Sequence, residues 1–542
     1  MGETAGLVFT SDSDEAQALA VAVRASRWAG VEDVIPAADS LGIIVDPDTT
    51  SLARVLELSA AMPVASAARE PPGSHARLSF GVDVCFDGPD SAAVASSAGL
   101  SVEEMIETLE SSVLRVGWLG FMPGFPYLLG LPDRLRSVPR LDRPRARVPA
   151  GAFAIANGCA GIYPAASPGG WNVLGRTGLR MFDPERAAPA TLDPGDLVRV
   201  RAVRSVVSPV ADERAPICAN GARRVTVIEA AAMSLVVDRG RLGVAHLGVP
   251  RAGPADSLRH AIANLAVGNP EGCAALEITA AGPALQFGCD AFVALVGDCP
   301  MRIDGRDTPP STTQFVARGQ TVGVGAVRSG LRAYLGISGG LEVPERLGSR
   351  SSDCVTGIWP GPLHSGDEIA LGMPGRARGR WFEPVREHPT VLRVSRGPDD
   401  AAGGALATLA GAQWEVASES SRVGTRLRRL RSPNQPGRDA GMTSAAQIEA
   451  ATTRPPPPSR ATVIGAVQLP PDGCPVVLGP DHGTIGGYPV VGVVTRTSLP
   501  DAGQLRPGDV VGFEESELDG HRNVGSAARR SVTGWMSGAF GG

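Results

Sequence analysis

Apolar and polar positions run along this chain in two rhythms. Residues 13–28 (SDEAQALAVAVRASRW) place apolar side chains at helical spacing behind polar capping residues, and 48–62 (DTTSLARVLELSAAM) do so again. LGIIVDPD (41–48) and ARLSFGVDVCFDG (76–88) are strand-like runs between and after them. These elements predict a small α+β unit over residues 1–90. Two further helical stretches follow between 91 and 112, and from 113 to 201 the pattern becomes short apolar runs cut by Pro and Gly.

One arrangement recurs. SPGGWNVLGRT (167–177) precedes LDPGDLVRV (192–200), Gly339-Gly340-Leu341 precedes LHSGDEIAL (363–371), and Gly486-Gly487-Tyr488 precedes LRPGDVVGF (505–513). Each double glycine has Ser or Thr just before it and an L-x-x-G-D-x-[VIL] turn and strand after it. Three occurrences imply one β unit used three times, as a closed barrel or a sandwich. The Gly-Asp turns are expected to be structural, with Gly supplying the geometry and Asp capping it. The double glycines are expected to turn the chain at φ > 0 into a strand. The resulting division is 1–90, a first barrel at 91–207, a linker at 208–224, two further barrels at 225–380 and 381–515, and a flexible tail at 516–542. TTRPPPPSR (452–460) is expected to be a stiff exposed loop, since Pro suits neither a ladder strand nor a helix interior.

Composition narrows the chemistry. With 542 residues, 43% apolar and 20% charged, the chain is a multidomain globular protein, and 68 glycines, 46 prolines and 4% aromatics favour β-rich units. A net charge of -5 gives no general attraction to nucleic acid or anionic membrane, and RLRRLRSP (426–433), the one dense basic run, reads as a solvated face. The eight cysteines form no C-x-x-C pair, and the dispersed seven histidines form no H-E-x-x-H, so no metal site is expected. No secretory signal or membrane-length apolar run is visible, and a cytoplasmic location is expected. All 51 basic residues are arginine. The chain thus has no P-loop lysine, no Schiff-base lysine and no lysine to carry biotin.

Candidate site residues cluster in a few segments. In DHGTIGGYP (481–489), Asp481, His482 and Tyr488 bring an acid, a base and a phenol into one turn, the set needed for proton transfer and for holding an amide. A plain polar turn is the simpler reading of the same residues. Arg143, Arg145 and Arg147 alternate, so a strand would present them on one face to a carboxylate or phosphate. Gly169, Gly170 and Trp171, with Gly486 and Gly487, offer bare backbone donors beside aromatic planes. Arg239 and Arg241 precede a helix expected to open near Ser257, with Asp256 as its cap. The 167–177 and 481–489 turns are expected to face one another, and the Leu341 copy to stay away from substrate. GFMPGFPYL (120–128) reads as a stiff aromatic loop, either a core edge or a pocket rim.

LGFMPGFPYLLGLPDRL (119–135), RPRARVPAGAFAIANGCAGIYPAASPGGWNVLGRT (143–177) and LDPGDLVRV resemble the family of the 5-oxoprolinase B subunit, which also covers allophanate hydrolase subunit 1. Residues 237–283, 337–353 and 465–494 resemble the C subunit of the same enzyme. The chain looks like a B–C fusion, similar also to the carboxyltransferase region of urea carboxylase. The resemblance implies a mostly β fold with an α+β N-terminal domain and three cyclophilin-like β-barrels. It implies a component of an ATP-dependent 5-oxoprolinase that opens 5-oxo-L-proline to L-glutamate with a separate A subunit, the complex binding ATP with Mg. Two alternatives come with it. One is carboxyl transfer in urea or amide metabolism, with biotin carried by another protein. The other is a regulatory protein that binds a histidine kinase. A small-molecule amide substrate and a possible homo-oligomer complete the expected partners, with no nucleic acid and no membrane.

Overall fold

The computed structural model describes residues 2–63, 79–207, 217, 221, 223–358, 361–375, 391–400, 404–430 and 457–516. The tail beyond 516, most of the 208–224 linker and the Pro run up to 456 lie outside the described residues. The chain is mostly β.

The N-terminal strands β1 (Ala5–Phe9), β2 (Val31–Pro36) and β3 (Ser40–Val45) form an antiparallel sheet in the order β1-β3-β2, with helices α1 (Ser13–Ser26) and α2 (Leu52–Ala60). Helix α1 starts where Asp12 accepts the N–H groups of Asp14 and Glu15, and it buries Ala16, Leu19, Ala20 and Val23. The expected strand at 76–88 appears as β4 (Ser79–Val84), but it leaves this sheet. It pairs in parallel with β12 (Leu197–Ala202), Ser79 opposite Leu197, so it opens the first barrel rather than closing the α+β unit.

That first barrel continues with α3 (Ser91–Ser97), α4 (Val102–Ser111), β5 (Leu114–Leu119), β6 (Pro126–Leu129), α5 (Asp133–Arg136), β7 (Arg145–Val148), β8 (Ala152–Ala156), β9 (Cys159–Ile162), β10 (Ser167–Gly169) and β11 (Asn172–Arg176). Its seven strands run β11-β8-β9-β6-β5-β12-β4, and a bridge between Cys85 and Arg176 closes the ring. Residues 391–515 repeat this wiring as a second barrel. Its strands are β25 (Val391–Arg396), β26 (Trp414–Val416), β27 (Gly424–Arg429), β28 (Arg460–Ala461), β29 (Ala466–Gln468), β30 (Val476–Leu478), β31 (Ile485–Gly486), β32 (Val490–Val494) and β33 (Val510–Glu515). They close as β25-β32-β29-β30-β27-β26-β33, with β25 and β33 again parallel. The basic run 426–433 begins as β27, where Arg426 and Arg428 pair outward with Asp472 and Glu419.

The middle unit, expected as the second of the three barrels, is laid out as two sheets. Strands β13 (Arg224–Glu229), β16 (Ala284–Phe287), β18 (Met301–Ile303), β19 (Arg306–Asp307), β21 (Thr321–Val324), β23 (Leu341–Glu342) and β24 (Glu368–Leu371) form one sheet. Strands β14 (Met233–Val237), β15 (Ala275–Thr279), β17 (Ala291–Asp298), β20 (Gln314–Val316) and β22 (Ser329–Ile337) form another. Both sheets contribute to one core, Val225, Leu285 and Phe287 meeting Leu276, Val293 and Leu335, while α6 (Ser257–Ala266) packs outside it on β22 and β17.

The Gly-Asp turn is common to all three. Asp196, Asp367 and Asp509 accept the N–H groups of Asp193, His364 and Arg506 at 2.8, 2.8 and 2.7 Å. Gly195, Gly366 and Gly508 sit at φ +98, +91 and +91°, where only glycine is unstrained. Their N–H groups bond to the carbonyls of Val116, Val227 and Val416, each at 2.8 Å. No helix among the described residues is long and apolar enough to cross a membrane.

Candidate functional site

Three loops from three units converge. Loop 120–125 joins β5 to β6 and holds Phe121 at φ +67°, a strained conformation for a bulky residue. It is clamped from both sides. Gly124 N–H bonds to Leu247 O at 2.8 Å, and a Cβ on Gly248 would lie 2.1 Å from Met122 O. On the other side a Cβ on Gly483 would lie 2.7 Å from Phe121 O. Loop 239–256 carries a second strained residue, Ala252 at φ +54°, whose N–H bonds to Pro480 O at 2.9 Å. The third loop is 479–487.

A buried ionic network pins these loops. Arg422 grips Asp481 with Nε and Nη2, both at 2.9 Å, donates to Gly253 O at 2.7 Å, and pairs with Glu277 of β15. Glu277 also receives Tyr334 Oη at 2.7 Å and Ala255 N–H at 2.8 Å. Burial alone would raise the Glu277 pKa; Arg422 and Arg332 outweigh it and hold the carboxyl below its ordinary value. Asp481 is thus a full partner of Arg422, and Cys354 N–H reaches it at 3.3 Å. His482 is buried beside it, with Nδ1 2.7 Å from Gly483 O. A carbonyl only accepts, so Nδ1 carries the proton and Nε2 keeps its lone pair. Burial lowers the His482 pKa, which keeps the ring neutral. Tyr488 is half-buried, and its hydroxyl makes no hydrogen bond among the described residues.

Arg241 is the most exceptional side chain at this junction. It is 1% exposed, yet only Nη2 is satisfied, by Ser351 O; Nε and Nη1 have no partner. The adjoining loop is tied down by Asp238, which accepts from Ser349 and Ser351 hydroxyls and from Arg350 N–H at 2.6 Å. Within it Asp353 is buried and accepts from Val355 N–H and Thr356 Oγ1 at 3.1 and 2.7 Å. Burial, then the nearby Asp481, pushes the Asp353 carboxyl upward despite Arg241.

The two double-glycine turns of the barrels occupy equivalent places, β10 against β7 and β31 against β28. One segment links them: Leu141 N–H bonds to Gly170 O at 2.8 Å, and the neighbouring Arg140 lays its guanidinium on Gly487. None of Gly169, Gly170, Gly486 or Gly487 has positive φ, contrary to expectation. Three of them are needed for close approach. A Cβ would lie 2.4 Å from Tyr163 Oη at Gly169, 2.6 Å from Gln468 Nε2 at Gly486 and 2.9 Å from Arg140 Nη2 at Gly487. Gly339 and Gly340 do have φ +95 and +74°, but they sit between β22 and β23, in a different topology.

Other expected residues scatter. Trp171 is 7% exposed and meets Phe125 and Tyr127 edge to face at 5.4 and 5.6 Å, inside the aromatic cluster of the GFMPGFPYL loop. Arg145 pairs with Asp90 at 2.6 Å, and Asp90 also accepts Val173 N–H, so this arginine fastens β7 to β11. Arg143 and Arg147 are exposed, and only Arg147 shares strand β7 with Arg145. Arg239 is exposed, its stem over Gly272. The α6 N-terminus is filled by protein groups: Asp256 accepts Arg259 N–H and Gln504 Nε2 at 2.9 and 2.8 Å. Arg140, Arg422, Glu277 and Asp353 carry no local sequence signal, since their partners lie far along the chain.

Known proteins share this plan. The family described as carboxyltransferase domain, subdomain C and D, matches residues 2–192, and subdomain A and B matches 247–515. The B subunit of 5-oxoprolinase from Escherichia coli O157:H7 is 52% identical over 113 residues, 21% of this chain and 51% of that protein. The C subunit from Escherichia coli K12 is 29% identical over 307 residues, 54% of this chain and 91% of that protein. Urea amidolyase of Saccharomyces cerevisiae is 27% identical over 309 residues, which is 53% of this chain but 16% of the yeast protein. The chain thus spans about half of its B-subunit relatives. The crystal structure of TTHA0988 superposes with TM-score 0.81 at 34% identity, covering 94% of this chain and 99% of that one. The chain belongs to the carboxyltransferase-domain family, with subdomains C and D ahead of A and B in the order of the 5-oxoprolinase B and C subunits.

Proposed function

We propose that the protein is the combined B–C component of an ATP-dependent 5-oxoprolinase, opening 5-oxo-L-proline to L-glutamate together with a separate A subunit. The observation that carries this reading is the junction itself. The halves that resemble the B and C subunits meet where loop 120–125 is clamped between Gly248 and Gly483, beside buried groups with unused hydrogen-bonding capacity. Opening a lactam needs a base for water, donors for the carbonyl oxygen and a proton for the departing nitrogen. The neutral His482 offers Nε2 as base, Arg241 offers the unpartnered Nε and Nη1 as donors, and the Tyr488 hydroxyl and Asp353, its carboxyl pushed upward by burial, offer protons.

ATP with Mg, when bound, would supply a phosphoryl group to the lactam oxygen, making the carbonyl carbon a better electrophile for water. This chain has no lysine for a P-loop, and no metal-holding cluster occurs among the described residues. We assign the nucleotide to the A subunit. Similarity to urea amidolyase favours a second reading, carboxyl transfer to a small amide with biotin carried in trans. One assay separates them. The pure chain is combined with ATP, 5-oxoproline and the A subunit, and separately with a biotinylated carrier, bicarbonate and urea. Glutamate release only when the A subunit is present is the expected result. Full turnover by the chain alone removes the partner, and carboxylation of urea replaces the reading.

A further inference from the structure

We propose that Arg140 is a carboxylate anchor, set between the two double-glycine turns, that commits the junction to small acidic ligands over neutral amides. The proposal rests on the 5-oxoprolinase reading for the ligand it names, and it deepens that reading by assigning the group that recognises the acid.

The backbone of Arg140 is fixed from both sides. Asn172 Nδ2 donates to Pro139 O at 2.7 Å, and Leu141 N–H donates to Gly170 O at 2.8 Å. From this rail on the first barrel the side chain crosses to the second. Its guanidinium lies so close to Gly487 that a Cβ there would sit 2.9 and 3.1 Å from Nη2 and Nη1. The missing side chain at Gly487 is what admits it.

No described residue neutralises this cation. Its Nε is buried without a hydrogen-bond partner, and no carboxylate pairs with it among the described residues. Its neighbours contrast. Arg145 holds Asp90 at 2.6 Å, and Arg460, across the junction on β28, holds Asp39 and Asp399 at 3.1 and 2.9 Å. Arg140 acts electrostatically on Tyr127, Tyr163 and Cys159. Burial pushes Tyr163 up to about 12 and Cys159 up to about 11, so neither supplies a counter-charge near neutrality. A half-buried guanidinium without an anion is unfavourable, and a planar carboxylate matches its fork. The Tyr163 ring beside it offers an aromatic edge to a small ring. Urea has no charge to place here; 5-oxoproline carries a carboxylate next to its lactam.

The test is calorimetric titration of the full chain with 5-oxo-L-proline and with 2-pyrrolidinone, the same lactam without the acid. We expect 5-oxoproline to bind about 30-fold more tightly, the scale of a charged hydrogen-bonded pair. Arg140→Gln abolishes that preference and leaves pyrrolidinone binding within about twofold, and Arg140→Lys restores part of it. Equal binding of the two lactams by the unaltered chain overturns the anchor, and this comparison needs no variant to fold. Retained preference in a folded Arg140→Gln protein overturns it too. In the complex with the A subunit, Arg140→Gln raises KM and spares kcat. Turnover with unchanged KM refutes the anchor and leaves the proposed function standing. Arg140-dependent binding of 5-oxoproline without any turnover supports the anchor and refutes the function.

Discussion

The first and second barrels share strand order, a parallel pairing of first and last strands, a Gly-Asp turn and a double-glycine turn. They differ in what is laid on those glycines and in how they are joined to the rest. In the first barrel Tyr163 covers Gly169 within a cluster of six aromatic rings. In the second, Gln468 and the foreign Arg140 cover Gly486 and Gly487. The first barrel fastens its turn internally, through the partly exposed Arg145–Asp90 pair. The second is fastened outward, through the fully buried Arg422, to Glu277 of the middle unit. The same scaffold thus serves once as a buried aromatic wall and once as a polar contact.

The largest effect should separate these two fastenings. Arg422→Met leaves Asp481 and Glu277 buried without their partner and should cost about 3–5 kcal/mol. Arg145→Met should cost about 1 kcal/mol, because that pair is partly hydrated. Urea unfolding of both variants measures the contrast, and equal losses would erase it.

Activity should sort the polar turn from the aromatic one. In the proposed complex with an A subunit, His482→Ala should reduce kcat about 100-fold, the contribution expected of the proposed base. Tyr488→Phe should reduce it about tenfold. Normal turnover by both, with native melting temperatures, would reduce the 481–489 turn to architecture.

Much of this was legible locally. The caps of α1, the alternating strands and the Gly-Asp turns are each specified within a few residues, and the structure reproduces all three turns down to the same hydrogen bonds. What needs distant partners was not. Strand β4 looks like a continuation of the α+β unit because its partner β12 lies 118 residues on. Arg422 sits in an unremarkable turn, and its importance appears only when Glu277, 145 residues away, folds against it. The double glycines were seen for the wrong reason. Their sequence does not distinguish a demand for φ > 0 from a demand for an absent side chain, and only Gly339-Gly340 has the first.

That distinction predicts an effect within one dipeptide. Gly169→Ala pushes a methyl group to 2.4 Å from the Tyr163 hydroxyl and should cost about 2 kcal/mol. Gly170→Ala meets Pro144 at 3.6 Å and Leu141 O at 3.9 Å, ordinary contacts, without a positive φ, and should change stability by less than about 0.5 kcal/mol. Thermal unfolding of the two variants decides it: equal losses would return the turn to a backbone explanation.

The smallest expected effect concerns the N-terminal unit, where it docks on the middle unit. Asp33 accepts Ala245 N–H at 3.0 Å and feels Arg24, Glu32 and Arg251, and Arg24 also acts on His246. Burial raises Asp33 from 3.8 to about 6, so its contribution is fully present below 3.8 and is lost as pH rises through 6. Burial, aided by Arg24, lowers His246 from 6.5 to about 4, so its contribution is present above 6.5 and is lost as pH falls through 4. The signs oppose each other across the same window. Between about pH 7 and 5 each group contributes roughly 1–2 kcal/mol, and together they should change stability by only about 0.5 kcal/mol. Removing one exposes the other. Relative to the unaltered chain, Asp33→Asn should lose stability on acidification, and His246→Gln should gain it. The remaining carboxylates titrate alike in all three proteins, so the differences isolate this pair. Parallel pH profiles of the three unfolding midpoints would show that neither group is buried as the docked N-terminal sheet requires.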